Sequence, residues 1–268
     1  MASLIGLPAI VILAIAVAAA LGFAYALQHF VRRRFGETEF AHNEIAGHML
    51  GIVGTLHAVL LGFMTVVVWQ QYDGTAERVA LETSAVADTW HAAVGLPAVQ
   101  RTAVRREMLA YASANADDEW TLMRDGKSSP LGDSLIMAAT SVAGTFVPAN
   151  FAESNAQQRV TRLLGDLHDA RQRRLAANTL RIPWLAWLVL LTGSIVVIGT
   201  CTMFRVGNVT VHRVMTSSVA VMIAAMFVLL FELQFPFRSD MRIPAARWTA
   251  LIEHIRSMDT GPQQNMRM

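Results

Sequence analysis

Cysteine and charge are both scarce in this chain of 268 residues. A single cysteine, Cys201, excludes an intrachain disulfide framework. Only 16% of the residues are charged and 54% are hydrophobic, whereas ordinary soluble domains carry roughly 25% charge. That balance excludes a disordered or collagen-like chain. The formal charge is +2, the isoelectric point is near 9.1, and the arginines are scattered, so no basic stripe exists to follow nucleic acid. Enzyme motifs are missing as well. His42 and His48, with Glu44 between them, are six residues apart and miss the i, i+4 spacing that puts two imidazoles on one metal. There is no Gly-rich phosphate loop and no serine elbow. Asp117-Asp118-Glu119 is the only dense carboxylate group, and three consecutive residues splay around a helix, which reads as a solvated helix end before a cation site. The expectation is a non-enzyme with no cofactor and no metal.

What the chain does have is long apolar runs, and its mean hydropathy is +0.40. Leu4 to Gln28, Met49 to Trp69, Trp184 to Phe204 and Val214 to Leu233 each reach the ~20 residues that cross ~30 Å of hydrocarbon. The first run has no basic segment before it and exceeds the apolar core of a signal peptide, so it reads as a retained span. Between the second and third runs lies a polar interval from about Gln70 to Arg181. Its apolar residues recur helically, as in Val86, Trp90, Ala93 and Val94, with breaks at Gly95-Leu96-Pro97, Asp125 to Pro130 and Pro148 to Asn150. The last of the four helices so defined, from about Glu153 to Leu180, leads to Pro183, which suits the first turn of a span. The expected fold is all-α: an integral membrane protein with four transmembrane helices and a helical soluble domain between the second and third. The expected divisions are a first helix pair at 1–70, a helical domain at 71–182, a second pair at 183–234 and a tail at 235–268. In the tail, Trp248, Leu251, Ile252, Ile255 and Met258 share one helix face, which packs on the domain, on another subunit or on the bilayer.

Arginine placement bears on orientation. Arg32, Arg33, Arg34, Arg205 and Arg213 lie on one side, and Arg78, Arg171, Arg173, Arg174, Arg181, Arg238, Arg242 and Arg247 on the other. Five against eight leans toward a cytoplasmic domain with both termini inside. The uncharged N-terminus and the compact Arg32 to Arg34 cluster lean the other way.

The second run is the most informative. Gly47, Gly51, Gly54, Ala58 and Gly62, at spacings of 4, 3, 4 and 4, form one smooth stripe. Small-residue stripes let membrane helices approach closely, either within a chain or between subunits. Beside the stripe runs a second line, Ile52, Thr55, Val59, Phe63, Val66, Gln70, Asp73 and Glu77, which begins apolar and ends acidic. Around an axis it forms a hydrophobic constriction with charged rings at its mouth; inside a bundle it is simply a buried face that emerges into water. His57 lies near the opposite face, either functional or held neutral by a hydrogen bond to a neighbouring helix. Glu232, near the end of the fourth run, needs a polar partner or interfacial water. Trp69, Trp184 and Trp187 read as interface anchors.

Leu61-Gly62-Phe63-Met64-Thr65-Val66-Val67-Val68-Trp69, followed by Gln71-Tyr72, resembles the pore-helix signature of bestrophins. Asn43-Glu44-Ile45-Ala46-Gly47, Asp117-Asp118-Glu119-Trp120 and Phe235-Pro236-Phe237-Arg238-Ser239-Asp240-Met241-Arg242-Ile243 resemble bacterial bestrophin-like membrane proteins, and together these segments span most of the chain. The resemblance implies a pentameric ion channel with a cytoplasmic helical domain in a bacterial inner membrane. It also implies a neck that includes Phe63, with Val59 and Thr55 one and two turns earlier. Thr55 departs from the large apolar residues common at its level in bestrophins. Of the acidic calcium clasp that animal bestrophins carry after the fourth span, Asp240 alone is present, so calcium gating is not expected. The expected partners are membrane lipid, permeant inorganic ions and further copies of the chain, with no nucleic acid. The rival reading is a non-conducting membrane sensor or scaffold whose helical domain binds a partner or ligand.

Overall fold

The computed structural model describes residues 7–35, 42–204 and 206–260. Residues 4–6 of the first apolar run, and Arg205 of the charge count, lie outside the described residues. Every regular element among the described residues is helical. In chain order they are α1 (Ala9–Phe35), α2 (His42–Ala92), α3 (Ala98–Ala114), α4 (Trp120–Arg124), α5 (Leu131–Thr145), α6 (Phe151–Ala177), α7 (Trp184–Met203), α8 (Val209–Leu233) and α9 (Ala246–Thr260). A 3₁₀ turn (Ala93–Gly95) follows α2, and a π turn (Asn115–Glu119) joins α3 to α4. The helices α1, α2, α7 and α8 are each long and apolar enough to cross a membrane, so the all-α, four-span expectation holds.

The helix ends follow local chemistry. Asn150 caps α6 by accepting the Glu153 N–H at 2.9 Å, while the Glu153 carboxylate accepts the Ala149 N–H at 2.8 Å, a reciprocal arrangement that satisfies donors the helix leaves free. Asn208 caps α8 through the N–H groups of Thr210 and Val211. Pro183 stands at the N-cap of α7, one position earlier than expected, and its carbonyl accepts from Ala186 and Trp187.

Contacts divide the chain into two units. Of the described residues, the first holds 7–35, 42–72, 181–204, 206–235 and 239–241. Its core is Leu61 and Val68 of α2, Leu190 of α7, and Leu230 and Leu233 of α8, with Ile182 beside them. A second cluster joins Ala24, Ile198 and Ala220, and its small side chains on α1 and α8 let those helices lie close. Gly193 of α7 faces His57, because a Cβ there would run into the imidazole ring.

Of the described residues, the second unit holds 73–180, 236–238 and 242–260. It packs the C-terminal part of α2 with α3, α5, α6 and α9 around Val79, Val86, Met108, Tyr111, Met123, Leu164 and Leu167. Of the three settings open to α9, the structure takes packing on protein: Trp248, Leu251, Ile252 and Ile255 are buried, and the Trp248 ring lies edge-on to Tyr111 at 5.9 Å.

Candidate functional site

The helix α2 runs unbroken for 51 residues, so the apolar line and its acidic end belong to one helix. Its two sides differ. His57, Leu61, Val68, Thr75, Val79 and Glu82 are buried at helical spacing, which makes this the side that faces the chain's own cores. The other side is open: Thr55, Val59, Phe63, Asp73 and Glu77 are all exposed, Val59 by 51% and Phe63 by 67%. Ile52 and Val66 of the same line are exposed too.

Among the described residues, little of the chain reaches the small-residue stripe. A Cβ at Gly51 or Gly62 would meet nothing within 4 Å, one at Gly54 would meet only Leu50 of the same helix, and one at Gly47 would just reach Phe204 at 4.0 Å. Ala58 is exposed. Beside the start of the stripe is a hollow of about 730 Å³ that Gly47, His48, Gly51, Ile52, Thr55 and Leu56 help to line.

On the buried side, the Ser194 hydroxyl donates to the Leu190 carbonyl at 2.8 Å, which leaves its oxygen to accept from His57 Nε2 at 3.1 Å. This is the helix-to-helix hydrogen bond that was one of the two readings of His57. Glu232 is buried and its carboxylate accepts the Asp240 N–H at 3.0 Å. Trp69 and Trp184 are exposed as anchors would be, whereas Trp187 is half-buried against Phe227 at 5.7 Å.

The second unit contains a polar cluster that sequence reasoning missed. Arg174 is fully buried, pairs with Glu82 through two guanidinium nitrogens, and also donates to Asn115 Oδ1 at 2.7 Å. Arg171, equally buried, reaches Asp133 at 3.1 Å, Glu119 at 3.3 Å and the Ser129 carbonyl at 2.7 Å. Tyr111 donates its hydroxyl to Glu82. Burial, then the Glu82 carboxylate, hold the Tyr111 phenol well above its ordinary value despite the two nearby arginines. Burial pulls both guanidiniums down, but the surrounding carboxylates and Tyr111 more than reverse it. Glu119 is therefore no part of a solvated helix end. The π turn inserts an extra residue per turn and swings Asn115 and Glu119 inward while Asp117 and Asp118 stay exposed. Likewise, two of the eight arginines counted for orientation are core residues. A signal existed, since Arg171 and Arg174 continue the buried Val160, Leu164 and Leu167 stripe of α6 at spacings of 4 and 3.

Among the described residues no three His, Cys, Asp or Glu side chains converge as a metal site would require, and Asp240 Oδ2 accepts the Ala9 N–H at 3.2 Å.

Comparison with solved structures finds the same fold in a bacterial bestrophin homologue from Klebsiella pneumoniae. A single-substitution variant of it superposes with a TM-score of 0.65 at 12% identity, covering 92% of this chain and 99% of that one. A second variant gives 0.64 at 15% identity, over 91% and 99% of the two chains. The form solved by zinc SAD phasing gives 0.64 at 13%, over 91% and 97%. No curated protein matches. The bestrophin-like domain family matches residues 14–247, nearly the whole of the helical framework described above. With that match over most of its length, and with an apolar second helix set in a bestrophin fold, this chain belongs to the bestrophin-like family.

Proposed function

We propose that this membrane protein is an ion channel built from five copies of the chain, with α2 lining the pore and Thr55, Val59 and Phe63 forming its neck. The observation that carries the reading is the two-sided character of α2: one face is buried by the chain, and the opposite face is apolar, continuous and open. An apolar face of that extent needs lipid or further copies of the protein against it. Its passage from Ile52 and Val59 to Asp73 and Glu77 fits an axis leading from hydrocarbon to water. The open stripe of Gly47, Gly51, Gly54, Ala58 and Gly62 supplies the smooth surface on which copies can approach.

Around a common axis the Phe63 level excludes water and gates by dewetting, while rings of Asp73 and Glu77 concentrate cations and repel anions at the mouth. Residues 71–182 and the tail then form the cytoplasmic domain of a multi-pass protein of the bacterial inner membrane. The family is one of channels and not enzymes, so the reading needs no catalytic group, and its ligands are inorganic ions.

The test is ion flux through purified protein in liposomes. Phe63→Ala should raise the leak by widening the neck. Unchanged flux from a variant that assembles as wild type does would move the pore elsewhere. For orientation, cysteines at Ser128 and Ser257, with Cys201 removed, should resist an impermeant thiol reagent in whole cells, and ready labelling of both would invert the topology.

A further inference from the structure

The opposite end of the first unit from Glu232 carries an unexplained polar hollow. Where the last turns of α1 meet the first turns of α8, a cavity of about 350 Å³ is lined by Tyr25, Gln28, His29, Arg32 and Arg213. Its chemistry is one-sided. Arg32 and Arg213 are hydrogen-bond donors only, and among the described residues neither has a carboxylate within ion-pair distance. The described parts of α1, α7 and α8 hold no Asp or Glu before Glu232, so this end of the unit has no acidic group on those helices. Gln28 is 4% exposed, yet its side-chain Nε2 has no acceptor. Leaving a buried amide donor without a partner is costly, and arginines that merely reach for water at a span end would not require one. The hollow wants an acceptor-rich anion.

A second hollow, about 680 Å³, adjoins it and shares Tyr25 and Arg213. It follows one face of α8 through Val214, Ser217, Ser218, Val221 and Met222. Val214 and Met222 are exposed on it. From Thr210 to Met222 this groove extends ~18 Å along the helix, comparable with half the hydrocarbon thickness. The Tyr25 hydroxyl and Ser217 Oγ, 3.0 Å apart, bind each other across it and so leave the groove mainly apolar.

We infer that this pair of hollows is a binding site for an anionic phospholipid, its phosphate held by Arg32, Arg213 and the Gln28 amide and one acyl chain lying along α8. Guanidiniums hold phosphate oxygens through charge-assisted hydrogen bonds, and the attached groove distinguishes a lipid from a free anion. The site lies apart from the exposed face of α2 and does not depend on conduction.

The experiment uses full-length, delipidated protein in detergent, titrated with dioleoylphosphatidylglycerol, dioleoylphosphatidylcholine or inorganic phosphate, with thermal stability and native mass spectrometry as readouts. Phosphatidylglycerol should bind and raise the melting temperature, phosphatidylcholine should do so weakly, and inorganic phosphate should not compete. Arg32→Gln with Arg213→Gln should weaken phosphatidylglycerol by about 30-fold, the effect of two basic residues. Arg33→Gln, outside the hollow, should not. Gln28→Leu keeps every charge and should still lower affinity. Equal binding of the two lipids, or wild-type affinity in both the double variant and Gln28→Leu, would overturn the site. Displacement by inorganic phosphate would make it a free-anion site, and loss of the oligomer in the double variant would make it a contact between copies; each result refutes the lipid assignment.

Discussion

Arg174→Met tests whether the second unit depends on its buried ion cluster. The guanidinium is wholly out of water, donates to both oxygens of Glu82 and to Asn115, and lies 5.3 Å from the Trp120 ring. Methionine fills much of the same volume but leaves the Glu82 carboxylate with the Tyr111 hydroxyl as its remaining partner. Removing one member of a buried pair costs about 3–5 kcal/mol, because the other charge stays desolvated. At about 2–4 °C per kcal/mol for a domain of this size, the melting temperature should fall by roughly 10 °C. Glu82→Gln alone should also destabilise, since it leaves Arg174 with Glu119, at 3.9 Å, as its remaining carboxylate. Combined with Arg174→Met it removes the charge imbalance and keeps an amide oxygen for Tyr111, so the double variant should recover at least half of the loss. Thermal unfolding of the four proteins in detergent, treated as a double-mutant cycle, gives the coupling directly. A wild-type melting temperature for Arg174→Met, or strictly additive losses in the double variant, would refute the argument.

Other expectations follow from the same geometry. Tyr111 keeps its proton in the folded chain beyond the ordinary value of 10.0, so its contribution is complete below that pH and is lost progressively above it. Tyr111→Phe should flatten the alkaline fall in melting temperature while lowering stability at neutral pH; an unaltered alkaline slope would assign that fall to other groups. Gly193→Ala would press a methyl against His57 Nδ1 and should cost about 1–3 kcal/mol through overpacking, with His57→Ala restoring part of it; thermal shift decides, and a neutral Gly193→Ala would refute the close approach. A Cβ at Gly54 would meet only Leu50 of the same helix, so Gly54→Leu should reduce the oligomer fraction on size-exclusion light scattering without loss of helix content, and intact assembly would sink the seam. Asp73→Asn with Glu77→Gln should move the reversal potential under a salt gradient toward anions, and no movement would remove these residues from selectivity.

Length and composition alone determined the four helices, because crossing hydrocarbon is a property of each segment by itself: enough apolar residues in a row, with the backbone satisfied internally. The bestrophin resemblance was legible for a related reason, since the motif on α2 and the Phe235 to Ile243 turn are contiguous in sequence. Periodicity also drew the Ile52 to Glu77 line and the glycine stripe. It left open whether those faces meet the chain's own helices, because a repeat every three or four residues reports a face and not its partner. The tertiary structure decided that: α2 turns His57, Leu61 and Glu82 inward and leaves Val59, Phe63 and Gly62 outside. It alone revealed why Arg171 and Arg174 sit in an apolar stripe. Their countercharges lie as far as 92 residues away in sequence, and Glu119 reaches them only because a π turn shifts the helix register. A buried charge is tolerable only beside its partner, and which distant residues become neighbours is settled by packing.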